Sequence, residues 1–555
     1  MKTRLLPLLV VAAVFVLCLW AVQPSVSLNA TPTEAVYVDA ELPTVITQVD
    51  DYFEELWRRQ ELRPAQPADE LLLLRRLALS LMGTVPSLEE IRQFEIDDQP
   101  DRIERWTQRY LNDPRFADYF AERLARCFVG VDGGQFIVFR RDRFVSWLSD
   151  QLEADTPYDQ IVRQMISSKG LWTGEPQTNF ITSAVANEDL DENKLAARSV
   201  RAFLGQSMDC AQCHDHPFDS NWKQGHFEGV AAQFGQVQQG GLGVFDSPEK
   251  KYEVQDLAAL DEVDEEPENI PMREVDPAVP FGKDWIPVEG TTREKFAHWM
   301  THPENRRFER AIANRIWGLM FGRSFITPVD DMPDPSDEAD RDVLDMLGQD
   351  FRKHNYDLKR MIMTISSSKP FRLKSVAEPN NDSLADVSYE EMVSMLDESW
   401  GLFPMTRLRP EQIIGAMLQA SSIRTIDQNS HLLTRFRRFT NERDFVNEYG
   451  DLGDQELVEQ SGTIPQALLR MNSNMTRGAV ESNFFSACGR ISNMSTTNEE
   501  ALEAAYFVCL TRKPTPEERE HFLGLLGDHT DNRRNPIIED IFWTLFNSPE
   551  FSWNH

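Results

Sequence analysis

Cysteine is scarce in this chain, six in 555 residues, too few for a disulfide framework at that size. Basic residues are outnumbered: 57 Lys and Arg face 90 Asp and Glu, a formal net charge of −33. That charge repels a phosphate backbone and no basic stripe offsets it, which excludes nucleic acid as a partner. After residue 22 no apolar run is long and uncharged enough to span a bilayer, so a polytopic transporter is excluded too. The chain lacks G-x-S-x-G, a Walker loop and H-E-x-x-H, and gives hydrolase or nucleotide-driven chemistry no footing. No segment recurs at a fixed period. What remains is a globular protein, 41% hydrophobic, with 12 Trp and 33 Phe to fill a sizeable core.

The N-terminus bears on the compartment. Lys2 and Arg4 precede an uncharged apolar run from Leu5 to Val22, interrupted by Pro7. A positive n-region followed by such an h-region is the grammar of an export signal. Helical, the run would reach about 27 Å, close to the hydrocarbon thickness, so residues 5–22 also suffice as a membrane anchor. Ser25, Ser27 and Ala30 are small, but no A-x-A site stands out, and Cys18 follows Leu17 and not a small residue. Residues 1–23 are therefore expected to be a signal peptide or membrane anchor. Positive charge before the run and an acidic chain after it place the body in the periplasm or on the outer face of the cytoplasmic membrane.

Residues 24–45, from Pro24 through Pro43, read as a tether. Val49, Phe53 and Leu56 then begin a helical pattern. Leu71, Leu74, Leu77 and Leu81 form a second stripe ending at Gly83, and Ser87-Leu-Glu-Glu90 is a capping box opening the next helix. Strand-like alternation is confined to Gly240–Phe245. Asp256–Pro287 is acidic and dotted with proline, the mark of a linker or long surface loop. The fold expected is mainly α: two large helical parts, 46–235 and 289–555, joined by an acidic, Pro-rich segment at 236–288, after the N-terminal apolar helix.

Chemistry concentrates at Cys210-Ala-Gln-Cys213-His214, the C-x-x-C-H pattern of covalent haem c attachment. Two thiols about one turn apart can reach the two vinyl groups on one edge of a porphyrin, and the next imidazole can pass beneath the iron. Attachment also requires export, which the N-terminus indicates independently. Asp215 and His216 would form the outer contacts orienting that imidazole. A zinc site competes: Cys210 and Cys213 with His214, His216, Asp219 or His226 make a tetrahedral sulfur–nitrogen set. Thiol–disulfide exchange and a plain Cys210–Cys213 disulfide also fit the pattern. Met272, 58 residues after His214, is a weak candidate for a sixth iron ligand.

The stretch Asp209-Cys-Ala-Gln-Cys-His-Asp-His-Pro-Phe-Asp219, followed by Trp222-Lys-Gln224, resembles the central motif of the planctomycete cytochrome c-like proteins of unknown function. Further matches run in order through the chain. They include Leu74-Arg-Arg-Leu77, Asp113-Pro-Arg-Phe116, Pro157-Tyr-Asp159, Asn314-Arg-Ile-Trp317, Tyr356-Asp-Leu-Lys359, Leu408-Arg-Pro-Glu-Gln412 and Asn547-Ser-Pro-Glu-Phe551. The resemblance implies a motif-bearing domain at 46–235 and a second, uncharacterised domain at 289–555. Many relatives carry an additional N-terminal cytochrome domain, which this sequence lacks.

Other clusters are weaker. Asn314, Arg315 and Trp317 beside Arg323 suggest either a binding patch or a buried polar bridge between helices. Asp330, Asp331, Asp334, Asp337 and Glu338 suggest calcium, or more simply a solvated acidic turn. His298 and His302, four apart, read as structural, and Cys127, Cys488 and Cys509 as packing residues. Two functions are carried forward. One is an envelope c-type cytochrome with a redox or envelope protein partner; the other is an envelope interaction protein with a Cys/His zinc site and a helical docking domain.

Overall fold

The computed structural model describes residues 41–555 apart from 132–138, 187–188, 216–221, 242, 257–270, 336–340, 379–386, 428–429, 431–443, 451–452, 454–456, 458–461, 484–485 and 530–531. The apolar run 5–22, Cys18, His216, Asp219, Asp337, Glu338 and the acidic centre of the 236–288 segment lie outside the described residues. Among the described residues no helix is long and apolar enough to cross a membrane. The fold is mainly α.

Helix α1 (Leu42–Arg59) buries Leu42, Val45, Val49, Phe53 and Trp57, a stripe at helical spacing. It starts inside the stretch assigned to the tether. Pro43 sits in its first turn, where a missing N–H costs nothing. Helix α2 (Glu70–Met82) buries nearly every side chain from Leu73 onward and ends on Gly83, whose φ is +64°. A Cβ there would lie 2.3 Å from the Tyr119 ring, so only glycine fits. The capping box opens α3 (Leu88–Ile96): the Glu90 N–H donates to Ser87 Oγ at 3.1 Å and the Ser87 N–H donates to Glu90 Oε2 at 2.8 Å.

Four helices follow: α4 (Arg102–Leu111), α5 (Pro114–Val129), α6 (Arg141–Glu153) and α7 (Tyr158–Ser167). After α8 (Glu192–Leu204) and α9 (Gln224–Ala231) comes a second set, α10 (Thr292–Met300), α11 (Arg306–Phe321), α12 (Val343–Lys353) and α13 (Leu358–Ser367). The sets repeat one another. Arg115, Phe116, Arg123 and Gly130 correspond at identical spacing to Arg307, Phe308, Arg315 and Gly322, and α5 and α11 each have 16 residues. Tyr158-Asp159 and Ser167-Ser-Lys169 match Tyr356-Asp357 and Ser367-Ser-Lys369. Each helix end is closed alike, Ser168 Oγ donating to the Met165 carbonyl at 2.9 Å and Ser368 Oγ to the Ile365 carbonyl at 2.7 Å.

The last helix of each set packs on the first helix of the other, α7 on α10 and α13 on α4. Arg163 Nε donates to Thr301 Oγ1 at 2.7 Å, and Arg293 Nη1 donates to the Ile166 and Ser168 carbonyls at 2.8 Å. On the other side Arg372 Nη2 meets Glu104 Oε1 at 2.7 Å. Helix α7 packs chiefly on the other set, whereas α13 packs on α4 and also on α11 and α12 of its own set.

The C-terminal region contains α14 (Pro410–Ala420), α15 (Asn498–Leu510), α16 (Pro516–Leu526) and α17 (Asn535–Asn547). It repeats α2 and α3. Helices α2 and α15 both have 13 residues, Thr511 takes the left-handed conformation of Gly83, and Thr515 with Glu518 rebuilds the capping box. Because the two repeats have different spacings and the copies come in changed order, no single period runs through the sequence.

The core does not divide at 236–288. One apolar cluster takes in side chains from Leu42 to Phe403, including Val237, Val244, Tyr252 and Val279 from the expected linker. A second joins Leu408–Phe551 to Leu79 and Val85. The described parts of 236–288 form two antiparallel hairpin ladders, β1 (Val237–Gly240) with β2 (Gly243–Asp246), and β3 (Tyr252–Gln255) with β4 (Met272–Val275). The alternation at Gly240–Phe245 falls on the end of β1 and on most of β2; β3 alternates as well, with Tyr252 buried in the core and Val254 packed against it, over only four residues.

Candidate functional site

Helix α8 ends at Gly205 in the left-handed conformation, and its carbonyl accepts from the Met332 N–H at 2.7 Å. This fixes the departure of the next residues. Met208 and Ala211 are buried and pin a 3₁₀ turn, Asp209–Gln212, against α9. The Cys213 N–H donates to the Cys210 carbonyl at 3.4 Å. Residues three apart in such a turn project to the same side. With the intervening Ala211 facing inward, Cys210 and Cys213 stand exposed as free thiols.

His214 is exposed. Its Nδ1 lies 2.7 Å from the Asp215 main-chain oxygen. A carbonyl oxygen can only accept, so Nδ1 carries the proton and the neutral ring keeps its lone pair on Nε2, the state a metal ligand needs. Asp215 is held in turn: its Oδ1 accepts from the Gln224 N–H at 3.0 Å, at the start of α9. A carboxylate at a helix N-terminus also meets the positive end of the dipole.

The other expected ligands are placed differently. His226 Nδ1 accepts from the Lys223 N–H at 3.3 Å, which leaves the proton of a neutral ring on Nε2. Neither nitrogen then offers a lone pair unless the cap on α9 breaks. Met272 sits in β4, where the neighbouring Arg273 pairs with Glu228 of α9 at 2.6 Å. Alternation along the strand turns Met272 to the opposite face, 54% exposed. Among the described residues no group of three or more His, Cys, Asp and Glu is placed to hold a metal ion.

A buried feature beside the turn went unrecognised in the sequence. Trp222 is 2% exposed, Arg307 lies over its ring at 5.3 Å, and Phe281 meets it edge-on at 6.2 Å. Its indole N–H has no hydrogen-bond partner. Other buried polar groups are left likewise, among them the Trp317 indole N–H and the Tyr110 hydroxyl. The aromatic residue after the motif was the visible signal; its burial was not.

The weaker clusters resolve into structure. Asn314 is fully buried and clasps the Ile326 backbone, donating to its carbonyl and accepting from its N–H, both at 2.9 Å. Trp317 is core, and Arg323 pairs with Asp397 over the Trp400 ring. His302 stacks on Trp285, to whose carbonyl His298 Nδ1 is joined at 3.3 Å. Asp331 accepts from Gln206 Nε2 at 2.9 Å, and Asp334 pairs with Arg307. Cys488 and Cys509 are buried, and Cys127 is partly buried.

Residues 48–239 match the family model PSCyt2, described as a protein of unknown function (DUF1549). Residues 292–444 match PSD1, likewise a protein of unknown function (DUF1553). The first match contains α4–α7 and the Cys210–His214 turn; the second contains α10–α13, so the repeated sets fall one in each. No curated protein and no solved structure matches the chain.

Proposed function

We propose that this chain, which carries a PSCyt2 region followed by a PSD1 region, is an exported cell-envelope protein holding a covalent haem c at Cys210, Cys213 and His214. The haem serves electron transfer or redox chemistry with a redox or envelope protein partner. One observation carries the reading: His214 donates through Nδ1 to the Asp215 carbonyl, freeing Nε2, beside two free thiols on one side of the same turn. Zinc would need a fourth ligand beyond Cys210, Cys213 and His214, and His226 is committed to capping α9.

A haem bound there supplies one-electron chemistry at its iron. The chain's own residues do the rest. Cys210 and Cys213 would hold the group covalently and His214 Nε2 would ligate it. The Asp215 carbonyl fixes the tautomer and raises the basicity of the ring. The Asp215 carboxylate ties the turn to α9, and Met208 and Ala211 keep it seated. Export through residues 1–23 places the thiols where attachment occurs, and residues 5–22, if retained, anchor the body at the outer face of the membrane.

The test is the full chain produced in a host competent for haem attachment. Intact mass should show one covalent haem, with a Soret band and a sharp reduced α-band. Protein of unmodified mass that binds zinc, and loses it in Cys213→Ser, would instead establish the interaction protein with a zinc site.

A further inference from the structure

We propose that His354 is a proton-operated clasp on the start of α1, inside the stretch assigned to the tether: protonated, it holds Glu41, and on losing a proton it lets Glu41 go. Nothing in this depends on what Cys210 and Cys213 hold. His354 closes the C-terminal end of α12. Its Nδ1 lies 2.8 Å from the Asp350 main-chain oxygen and 3.1 Å from the Asp350 carboxylate, and its Nε2 lies 3.3 Å from Glu41 Oε2. A main-chain oxygen can only accept. Lys353, followed by His354, holds the Glu41 carboxyl below its usual range, so an ionised Glu41 accepts as well. Both ring nitrogens therefore face acceptors. A neutral imidazole has one N–H and satisfies one side of this arrangement; the imidazolium satisfies both. A cation also suits the end of α12, where the helix dipole is negative.

Glu41 is turned toward this contact. It stands at the N-cap of α1 yet makes no side-chain bond to its own helix, and its carboxylate reaches Lys353 and His354 on α12. The charged groups around the ring and its Asp350 partner are Glu41 from α1, Asp350 and Lys353 from α12, and Asp357 and Arg360 from the start of α13. Arg360 donates to the two Asp350 carboxylate oxygens at 2.8 and 3.0 Å. Lys353 and Arg360 stay charged across the neutral range. Burial pushes Asp350 up to about 6, against the pull of His354 and Lys353. At the Glu41 contact, then, the imidazole is the group that changes as pH rises. Once neutral it keeps its one N–H on Nδ1, where both oxygens belong to Asp350, and Nε2 turns a lone pair on the Glu41 carboxylate. Attraction becomes repulsion, and the exposed Lys353 alone holds Glu41. The Glu41 carbonyl accepts from the Thr44 N–H at 3.0 Å, so its position sets the first turn of α1. The clasp is closed in acid and open in base, and pH sets how firmly that turn is held to the body.

The experiment is hydrogen exchange of the full chain, read by mass spectrometry on the peptide carrying Thr44–Val49 and corrected for the intrinsic rate at each pH. It compares wild type, His354→Arg and Glu41→Gln at pH 5 and pH 8. Wild-type protection should fall roughly two- to fivefold between the two, the range of one exposed ion pair. His354→Arg keeps its charge and should hold its protection at pH 8. Glu41→Gln should sit at or below the wild-type pH 8 level at both values. A merely structural His354 would alter protection equally at pH 5 and pH 8. Wild-type protection that stays level overturns the inference. So does a fall that persists undiminished in Glu41→Gln or in His354→Arg, since the titrating group would then lie elsewhere. If His354→Arg does not accumulate, the comparison of wild type with Glu41→Gln decides by itself.

Discussion

Arg76 Nε donates to the main-chain oxygen of His555 at 2.7 Å, across 479 positions of sequence. The same guanidinium donates through Nη1 to the Phe371 and Leu373 carbonyls at 2.8 and 2.7 Å, and its carbon lies 3.7 Å from the centre of the Phe403 ring. Its neighbour Arg75 donates to the Cys509 carbonyl at 3.0 Å. Both side chains are buried and bind carbonyls in place of carboxylates. Burial pulls Arg76 down to about 9 and Arg75 to about 10. One pair of residues on α2 thus gathers four distant stretches of chain.

Arg76→Met should therefore be costly, since the aliphatic volume is largely kept while three carbonyls lose their donor. The expected loss is roughly 3–5 kcal/mol of unfolding free energy, at about 1–3 kcal/mol for each orphaned acceptor with partial relaxation. Urea denaturation measures it, and Arg76→Lys should lose less. A loss below about 1 kcal/mol would show that the latch contributes nothing.

Glu309 on α11 is buried, 3.2 Å from Arg352, and burial pushes it up to about 7 from an ordinary 4.5. A carboxyl whose value is raised by folding binds its proton more tightly in the folded chain. Its contribution thus favours folding at low pH and is lost as pH rises from 4.5 through about 7. Glu309→Gln should remove that slope and leave the protein more stable than wild type at pH 8, by roughly 1–3 kcal/mol. Stability profiles of the two proteins from pH 4 to 8 that run parallel would contradict this.

Thiol reactivity should split by position. In haem-free protein Cys210 and Cys213 are exposed, whereas Cys488 is buried with its thiol pushed up to about 12 and Cys509 is raised well above its ordinary value by burial. Alkylation at pH 8 followed by peptide mapping should mark 210 and 213 within minutes and 488 and 509 only in denaturant. Rapid native labelling of 488 would refute the buried placement.

His226→Ala separates the two metal chemistries. It removes the acceptor of the Lys223 N–H and should cost about 0.5–1 kcal/mol locally, as lost caps do. The haem spectrum should stay intact. Loss of all bound metal in this variant would make His226 a ligand and favour zinc.

What the sequence disclosed follows from how local each signal is. The stripe from Leu71 to Leu81, its stop at Gly83 and the Ser87–Glu90 box depend on neighbours within a turn or two, and all stand in the structure. The C-x-x-C-H spacing is equally local. The hydrogen bond that sets the His214 tautomer is not, for it depends on which way the Asp215 carbonyl faces once its carboxylate caps α9. Ladder β3–β4 was hidden because each strand is only four residues long within an acidic, Pro-dotted stretch, and a tertiary pair, Arg273 with Glu228, docks it. The repeats were hidden because their identity survives at a few packing positions such as Phe116 and Phe308, where shape is constrained, and has drifted elsewhere.

The packing of α7 on α10 and of α13 on α4, each across the two helical sets, has a bearing on concentration. Two separate chains sharing helices this way would come apart on dilution, and anything built at their junction would come apart with them. Joined in one polypeptide, the halves meet at an effective concentration in the millimolar range or above, whatever the abundance of the protein. One copy can then keep the thiol-bearing insertion after α7 while the other keeps none, and every molecule still holds one of each.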